Sequence, residues 1–317
     1  MSAPLHVTTL GEAMVVMDPL SRGPLRQVNK YEKNLGGAEL NVAVGLSRLG
    51  HRAGWAGRLG DDEFGREILA FMRGEEVDVS GARLDLEAPT GLYFKEWRAL
   101  GQLRVHYYRA GSAASRMRFE QLDLEYLLSG EVLHLTGITP ALSQSCHDLI
   151  ERLISAANER AVTVSFDLNV RWTLFEGRDP QESLAPLAAR ADLLFLSDDE
   201  AELLFGGSDP DCITEAQRSI RAETVVVHGA EGAFAVGEGG VSEKAAYPVE
   251  VVDTVGAGDA FVAGFLSGRL RGWSAGESLE LGNACGACVV TVPGDLKGLP
   301  TLEEALALMR GRPGVER

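Results

Sequence analysis

Residues Asp253-Thr-Val-Gly-Ala-Gly-Asp259 run directly into Ala260-Phe-Val-Ala-Gly-Phe-Leu266. Gly256 and Gly258 admit backbone shapes and close approaches that a Cβ forbids. The apolar run behind them has the length and pattern of a buried helix. At such a helix start the backbone amides point outward, and the helix dipole adds about half a positive charge, so Gly256, Ala257 and Gly258 form a nest for an anion. Asp259 then sets a carboxylate in the same turn. A carboxylate repels a bound anion, so anion binding alone does not explain it; a base that takes a proton from an attacking hydroxyl does. An Asp that merely offsets the helix dipole is the plainer alternative. Two glycines and two acids at this spacing weigh against it.

Outward from this turn, short β-like runs alternate with helical stretches. Ala53–Gly57 reads as a strand, and Glu63–Arg73 as a helix with Phe64, Ile68 and Phe71 on its apolar side. Val132–Leu135, Val162–Asp167, Leu193–Leu196 and Thr224–Val227 read as strands, with a helix over Gln144–Ala157. Continuous apolar β-branched runs suit strands buried on both faces, so the alternation predicts a mostly parallel sheet between helical layers. Two regions break the rhythm. Leu5–Lys33 carries strand-like pieces with no helix before Ala38, and Thr90–Arg109 reads as a hairpin of Leu92–Trp97 and Leu103–Arg109 joined by Ala99-Leu-Gly-Gln102. Together they predict a small β sheet, about 10–35 and 90–112, projecting as a lid from one domain spanning 1–317.

The chain has 317 residues and a net charge of −16 from 46 acidic and 30 basic side chains. That balance, with no run of basic residues, excludes a duplex nucleic acid partner. No stretch approaches the roughly 20 apolar residues of a membrane span. Met1–Leu10 lacks the basic start and apolar core of a secretory signal, so cytoplasm is the expected location. Four scattered cysteines suit a reducing compartment. Cys285-Gly-Ala-Cys288 has no second ligand pair for zinc and lies in the apolar stretch Leu281–Val292, which reads as two core-filling thiols. No GxxxxGK[ST] loop, HExxH or GxSxG elbow occurs, and the glycines of Gly36-Gly37 and Gly237-Glu-Gly-Gly240 do not make a dinucleotide fingerprint.

The Asp253–Asp259 string resembles the C-terminal signature of the ribokinase-like (PfkB) carbohydrate kinases. Further blocks are similar: Gly36-Gly37-Ala-Glu39-Leu-Asn41, Gly57-Arg-Leu-Gly-Asp-Asp-Glu-Phe-Gly65, Asp167-Leu-Asn169-Val-Arg171 and Ser197-Asp-Asp-Glu200. The likeness runs from about Leu10 to Leu299. It implies a ribokinase-like three-layer α/β fold, ATP as phosphate donor, Mg²⁺ bridging its phosphates through water, and Asp259 as catalytic base. It also implies a monovalent-cation site near Asp253 and a homo-oligomer built on the lid hairpin. Asn169, Ser197 and Glu200 would lie near the phosphates and the hydrated magnesium. Gly229 and Gly232 would line the nucleotide along with His228, Gly256 and Gly258, and Asn283 would close over the base. Ser197 stands where many relatives carry Asn, and His228 where Lys, Arg or Thr is commoner; a His at a strand end is more often structural.

Within the family, Gly37-Ala-Glu39, Gly91-Leu-Tyr93, Val105-His-Tyr-Tyr-Arg109, Gly137-Ile-Thr-Pro140 and Arg171 are most similar to 2-keto-3-deoxygluconate kinases. By that resemblance Gly37 and Asn41 hold sugar hydroxyls, Tyr93, Tyr107, Arg109 and Arg171 face an open-chain sugar acid, and Ile138 and Asp295 complete the substrate side with Asp259. A guanidinium is a planar two-pronged donor suited to a carboxylate. Arg171 closes a strand end, where ligands of α/β sheets gather. Arg109 suits an ion pair as well as it suits substrate. A fructokinase or ribokinase using a neutral sugar, and a non-catalytic sugar- or nucleotide-binding regulator, are the alternatives.

Overall fold

A computed structural model of the protein describes residues 4–98, 102–175 and 177–311. Its strands, in chain order, are β1 (Val7–Leu10), β2 (Met14–Pro19), β3 (Tyr31–Gly36), β4 (Ala53–Gly60), β5 (Asp78–Asp85), β6 (Leu92–Trp97) and β7 (Leu103–Tyr108). They continue with β8 (Val132–Thr136), β9 (Thr163–Asp167), β10 (Leu193–Ser197), β11 (Thr224–Gly229), β12 (Gly232–Gly237) and β13 (Gly240–Ala245). Nine of them form one sheet in the order β13-β12-β11-β10-β9-β8-β1-β4-β5. Every pairing from β11 to β5 is parallel; β12 and β13 add an antiparallel hairpin at one edge.

The apolar runs read as strands because both faces of this sheet are covered. Along β10, Leu193 and Phe195 enter one core with Trp55 and Phe265, while Leu194 and Leu196 enter the other with Phe166 and Leu153. Successive strand side chains point to opposite faces, so a doubly covered strand is apolar throughout rather than alternating. Glycines let the helices on one face approach closely. A Cβ on Gly264 would sit 2.8 Å from Gly282 Cα, so the Ala257–Leu270 and Ala275–Val290 helices pack almost backbone to backbone. Cys285 is buried at this seam and Cys288 is half-buried; both are free thiols, and burial pushes Cys288 up to about 11.

Local differences from the sequence reading follow from packing. The Glu63–Gly74 helix buries Ile68, Leu69 and Met72, with Phe64 and Phe71 only at its margin. Gly237-Glu-Gly-Gly240 is the tight turn between β12 and β13, and Gly240 takes a φ of 86° there.

The second sheet has the order β3-β2-β6-β7. Leu92 pairs with Tyr108 and Trp97 with Leu103, so the two expected strands form a hairpin, with β7 ending at Tyr108. Most of its connecting turn, Ala99-Leu100-Gly101, lies outside the described residues. Leu10 belongs to the large sheet, and the small one begins at Met14. The order of crossovers reverses at β1, which pairs with β4 on one side and β8 on the other. Ligands of open α/β sheets collect outside the strand carboxyl ends at such a reversal.

Candidate active site

A cleft of about 440 Å³ opens there, between the carboxyl ends of the large sheet and the inner face of the small one. Gly256, Gly258 and Asp259 line it at the start of the Ala257–Leu270 helix. Gly256 has a φ of 84°, and a Cβ on it would lie 2.8 Å from the Asp295 carbonyl, so only glycine fits. Gly258 is different: its Cβ would meet only the His228 ring, at 3.4 Å. It needs no unusual backbone shape, and its missing side chain leaves space beside the His228 ring. Ala257 does not line the cleft, and its N–H donates to the Thr254 carbonyl at 3.3 Å.

Asp259 is buried and held from two sides. The Asn41 amide donates to Oδ2 at 2.7 Å, and the Asn169 amide reaches Oδ1 at 3.4 Å. Burial lifts its carboxyl to about 6, with the Asn41 bond and the Arg171 charge pulling the other way. Desolvation disfavours the charged form, so the carboxylate is a stronger base than an exposed one and is still ionised at neutral pH. The other end of the Asn41 amide, Oδ1, is buried with no partner among the described residues. An acceptor beside a base is what a ligand hydroxyl would use.

Beside Asp259 stands Asp167, at the end of β9, raised by burial first and then by the nearby charges of Glu200 and Asp259. Among the described residues no three acids, histidines or cysteines are grouped so as to hold a metal ion directly, and these three acids act on one another through charge. Glu200 has both oxygens engaged: Oε1 accepts from the Val170 N–H at 2.6 Å and Oε2 from the Ser197 N–H at 2.9 Å. Ser197 in turn caps the Asp198–Phe205 helix, so this pair fixes the direct passage from β10 into that helix. Asn169 sits at a φ of 40°, which turns its amide toward both Asp167 and Asp259. His228 stacks on Phe261 with ring centroids 4.8 Å apart, and burial pulls its imidazole below the ordinary histidine range against the charge of Glu200.

Gly37, Tyr93, Tyr107, Arg109, Ile138, Arg171 and Asp295 all line the same cleft, with Arg171 and Asp295 close enough to Asp259 for their charges to act on it. Gly37 has a φ of 148°, and its Cβ would meet the Glu12 carbonyl at 2.3 Å. The two arginines differ. Arg109 is buried, paired with the equally buried Glu12, and stands 5.1 Å over the Tyr107 ring; its Nε has no hydrogen-bond partner among the described residues. Arg171 is exposed at the cleft mouth and makes no ion pair among the described residues. Gly229, Gly232 and Asn283 do not line the cleft. Gly232 is required by its backbone, since a Cβ would lie 2.3 Å from the Lys244 carbonyl. Asn283 donates to the Lys244 and Ala245 carbonyls at 2.9 and 3.1 Å and so pins the end of β13.

Several cleft residues carry no assigned role in the sequence: Asp167, Thr254 and Val255 stand within quoted blocks, and Trp172 has no distinguishing signal. Nor does Lys95, fully buried behind the cleft against Asp253 and Asp295, carry one. Its one signal was a position two residues after Tyr93 on a strand, hence on the same face.

The sequence pattern of the pfkB family carbohydrate kinases matches residues 5–302. The chain belongs to that family. It is 38% identical over 319 residues to the 2-dehydro-3-deoxygluconokinase of Bacillus subtilis (strain 168), covering 99% of this chain and 98% of that one. The enzyme of the same name from Thermoproteus tenax is 36% identical, over 97% of this chain and 95% of its own. Among solved structures, 2-dehydro-3-deoxygluconokinase from Thermotoga maritima superposes with a TM-score of 0.90 at 28% identity, covering 98% and 99% of the two chains. This family member is therefore a phosphotransferase with ATP as donor and a sugar hydroxyl as acceptor. No helix among the described residues is long and apolar enough to cross a membrane.

Proposed function

We propose that this kinase phosphorylates 2-keto-3-deoxygluconate, transferring the γ-phosphoryl group of ATP to its 6-hydroxyl and releasing ADP. The reading is carried by one cleft that holds a buried base at a helix start together with Arg171, exposed and without an ion pair among the described residues, and Arg109, whose Nε has no partner among them. The names of the relatives described above support the same substrate. The hydroxyl oxygen bonds to the γ-phosphorus as the bond to the ADP oxygen breaks, and Asp259 takes the hydroxyl proton. Asn41 Oδ1 and Gly37 hold sugar hydroxyls, and Arg171 and Arg109 Nε bind the carboxylate. The amides of Gly256 and Gly258 meet the charge on the transferred group. Asp167 and Glu200, raised or engaged as described, fit a hydrated Mg²⁺ held through water, which would neutralise phosphate charge. The nucleotide extends past Ser197 and His228 toward Asn283. The small sheet serves as a lid that keeps water from competing with the sugar.

ADP release with Mg-ATP and 2-keto-3-deoxygluconate, fructose or ribose, compared by kcat/KM, tests this. The keto-deoxy acid is expected to be preferred by at least tenfold. Preference for a neutral sugar would return both arginines to structural roles. Absence of turnover with any sugar would favour a binding protein that has lost catalysis.

A further inference from the structure

Lys95 is the most unusual charge in the molecule. It lies on β6 with no exposed surface, and a buried ammonium without counter-charges gives up its proton. Here burial pulls toward the neutral amine, but Asp295, Asp18 and Asp253 outweigh it and hold the group above the ordinary lysine range. Nζ stands 3.0 Å from Asp295 Oδ1, 3.1 Å from Asp253 Oδ2 and 3.6 Å from Asp18 Oδ1.

Each partner leads into the site. Asp253 Oδ1 accepts the Val255 N–H at 3.1 Å and Oδ2 accepts the Gly294 N–H at 3.2 Å, so this carboxylate shapes the turn that ends in Gly256 and Gly258. Asp295 takes the Tyr93 hydroxyl at 2.9 Å, and its backbone carbonyl packs under Gly256. Asp18 is held by the Asn34 amide at 2.7 Å. One ammonium from the small sheet thus sits beneath the anion-binding turn of the large domain. It faces the carboxylate beside which the family resemblance implies a dissolved monovalent cation. The residues present do not fit such an ion at that point: Asp253 Oδ2 already meets two donors, Gly294 N–H and Lys95 Nζ.

We propose that Lys95 is a built-in monovalent cation, a positioning residue that replaces a dissolved alkali ion beside Asp253 and locks the small sheet to the anion-binding turn. Turnover then needs no added potassium. The proposal rests on the kinase reading of the cleft for its catalytic consequence, but not for its binding consequence.

The test measures both. In alkali-free buffer with choline chloride holding ionic strength, wild-type kcat is expected to change less than twofold on adding potassium, sodium or ammonium chloride. Its Tm should likewise be unmoved beyond the choline control. Lys95→Ala is expected to lose about 100-fold in kcat, the cost of a misplaced anion-binding turn, and to regain about tenfold with potassium or methylammonium. The same ions should raise its Tm, since an ion bound only by the folded state stabilises it by mass action. Lys95→Met, which fills the space without charge, should lose turnover and show no rescue. Wild-type activity or Tm that rises several-fold or by several degrees with potassium would overturn the proposal, as would a fully active Lys95→Met. If Lys95→Ala does not fold, the wild-type ion series alone decides. If the ion-dependent Tm of Lys95→Ala appears but no sugar is phosphorylated, the kinase reading fails and the cation role stands.

Discussion

The two ends of the cleft handle charge in opposite ways. Around Asp259 the polar groups are left partly open: among the described residues Asn41 Oδ1 has no partner, and the acid is met by the Asn41 and Asn169 amides. On the small-sheet side the buried charges arrive already matched, Arg109 with Glu12 and Lys95 with Asp253 and Asp295. Arg171, on the loop after β9, belongs with the open side: it is exposed and its charge acts on Asp259. Groups that must meet a transient charge are best left unsatisfied until the ligand arrives, whereas groups that hold a shape need permanent partners.

Removing the base breaks the open end most sharply. Asp259→Asn can still face the Asn41 amide with its own oxygen, so folding should persist while kcat falls by roughly 100-fold or more. Because the native carboxyl is lifted to about 6 and must be ionised to accept a proton, wild-type kcat/KM should fall as pH drops below about 6. That acid limb should be missing in the variant; near-normal turnover with the limb intact would remove Asp259 from the chemistry.

The two arginines sharpen the contrast. Arg109→Ala strands the buried Glu12 carboxylate and should cost about 3–5 kcal/mol of stability, read by denaturant unfolding. Adding Glu12→Gln should recover much of it. Arg171→Ala has no buried partner to strand, so Tm should barely move while KM for an acidic substrate rises roughly tenfold or more. An equal KM rise for fructose would show that Arg171 shapes the mouth rather than reads a carboxylate.

The smallest effect concerns Glu39, below the cleft. Burial raises it to about 7, and the Thr136 and Thr139 hydroxyls donate to Oε1 at 2.7 and 2.9 Å. Between the ordinary carboxylate range and about pH 7 the folded state holds the proton that the unfolded state has lost. Stability contributed by this group therefore falls as pH rises through that window. Glu39→Gln keeps an oxygen for both threonines and should flatten the slope of Tm against pH from 5 to 7. An unchanged slope would assign it to the other buried acids.

Much of this was legible in residue order. Continuous apolar strands, the helix after Gly258 and the hairpin of Leu92–Tyr108 each announce themselves through short-range pattern. Cleft-lining residues named from their blocks, from Gly37 to Asp295, do converge. Gly232 and Asn283 show the limit. Both have readable signals, yet one is spent on a crowded backbone and the other on two carbonyls of β13.

By itself, the sequence determined the alternation that makes a parallel sheet with covered faces, and the glycine-acid turn that places a base at a helix start. Both depend on neighbours a few residues apart. Only the tertiary structure decided which charges are free and which are paired, because partners such as Glu12 and Arg109, or Lys95 and Asp253, lie far apart in the chain. Their ionisation and reach depend on burial that exists only once the two sheets meet.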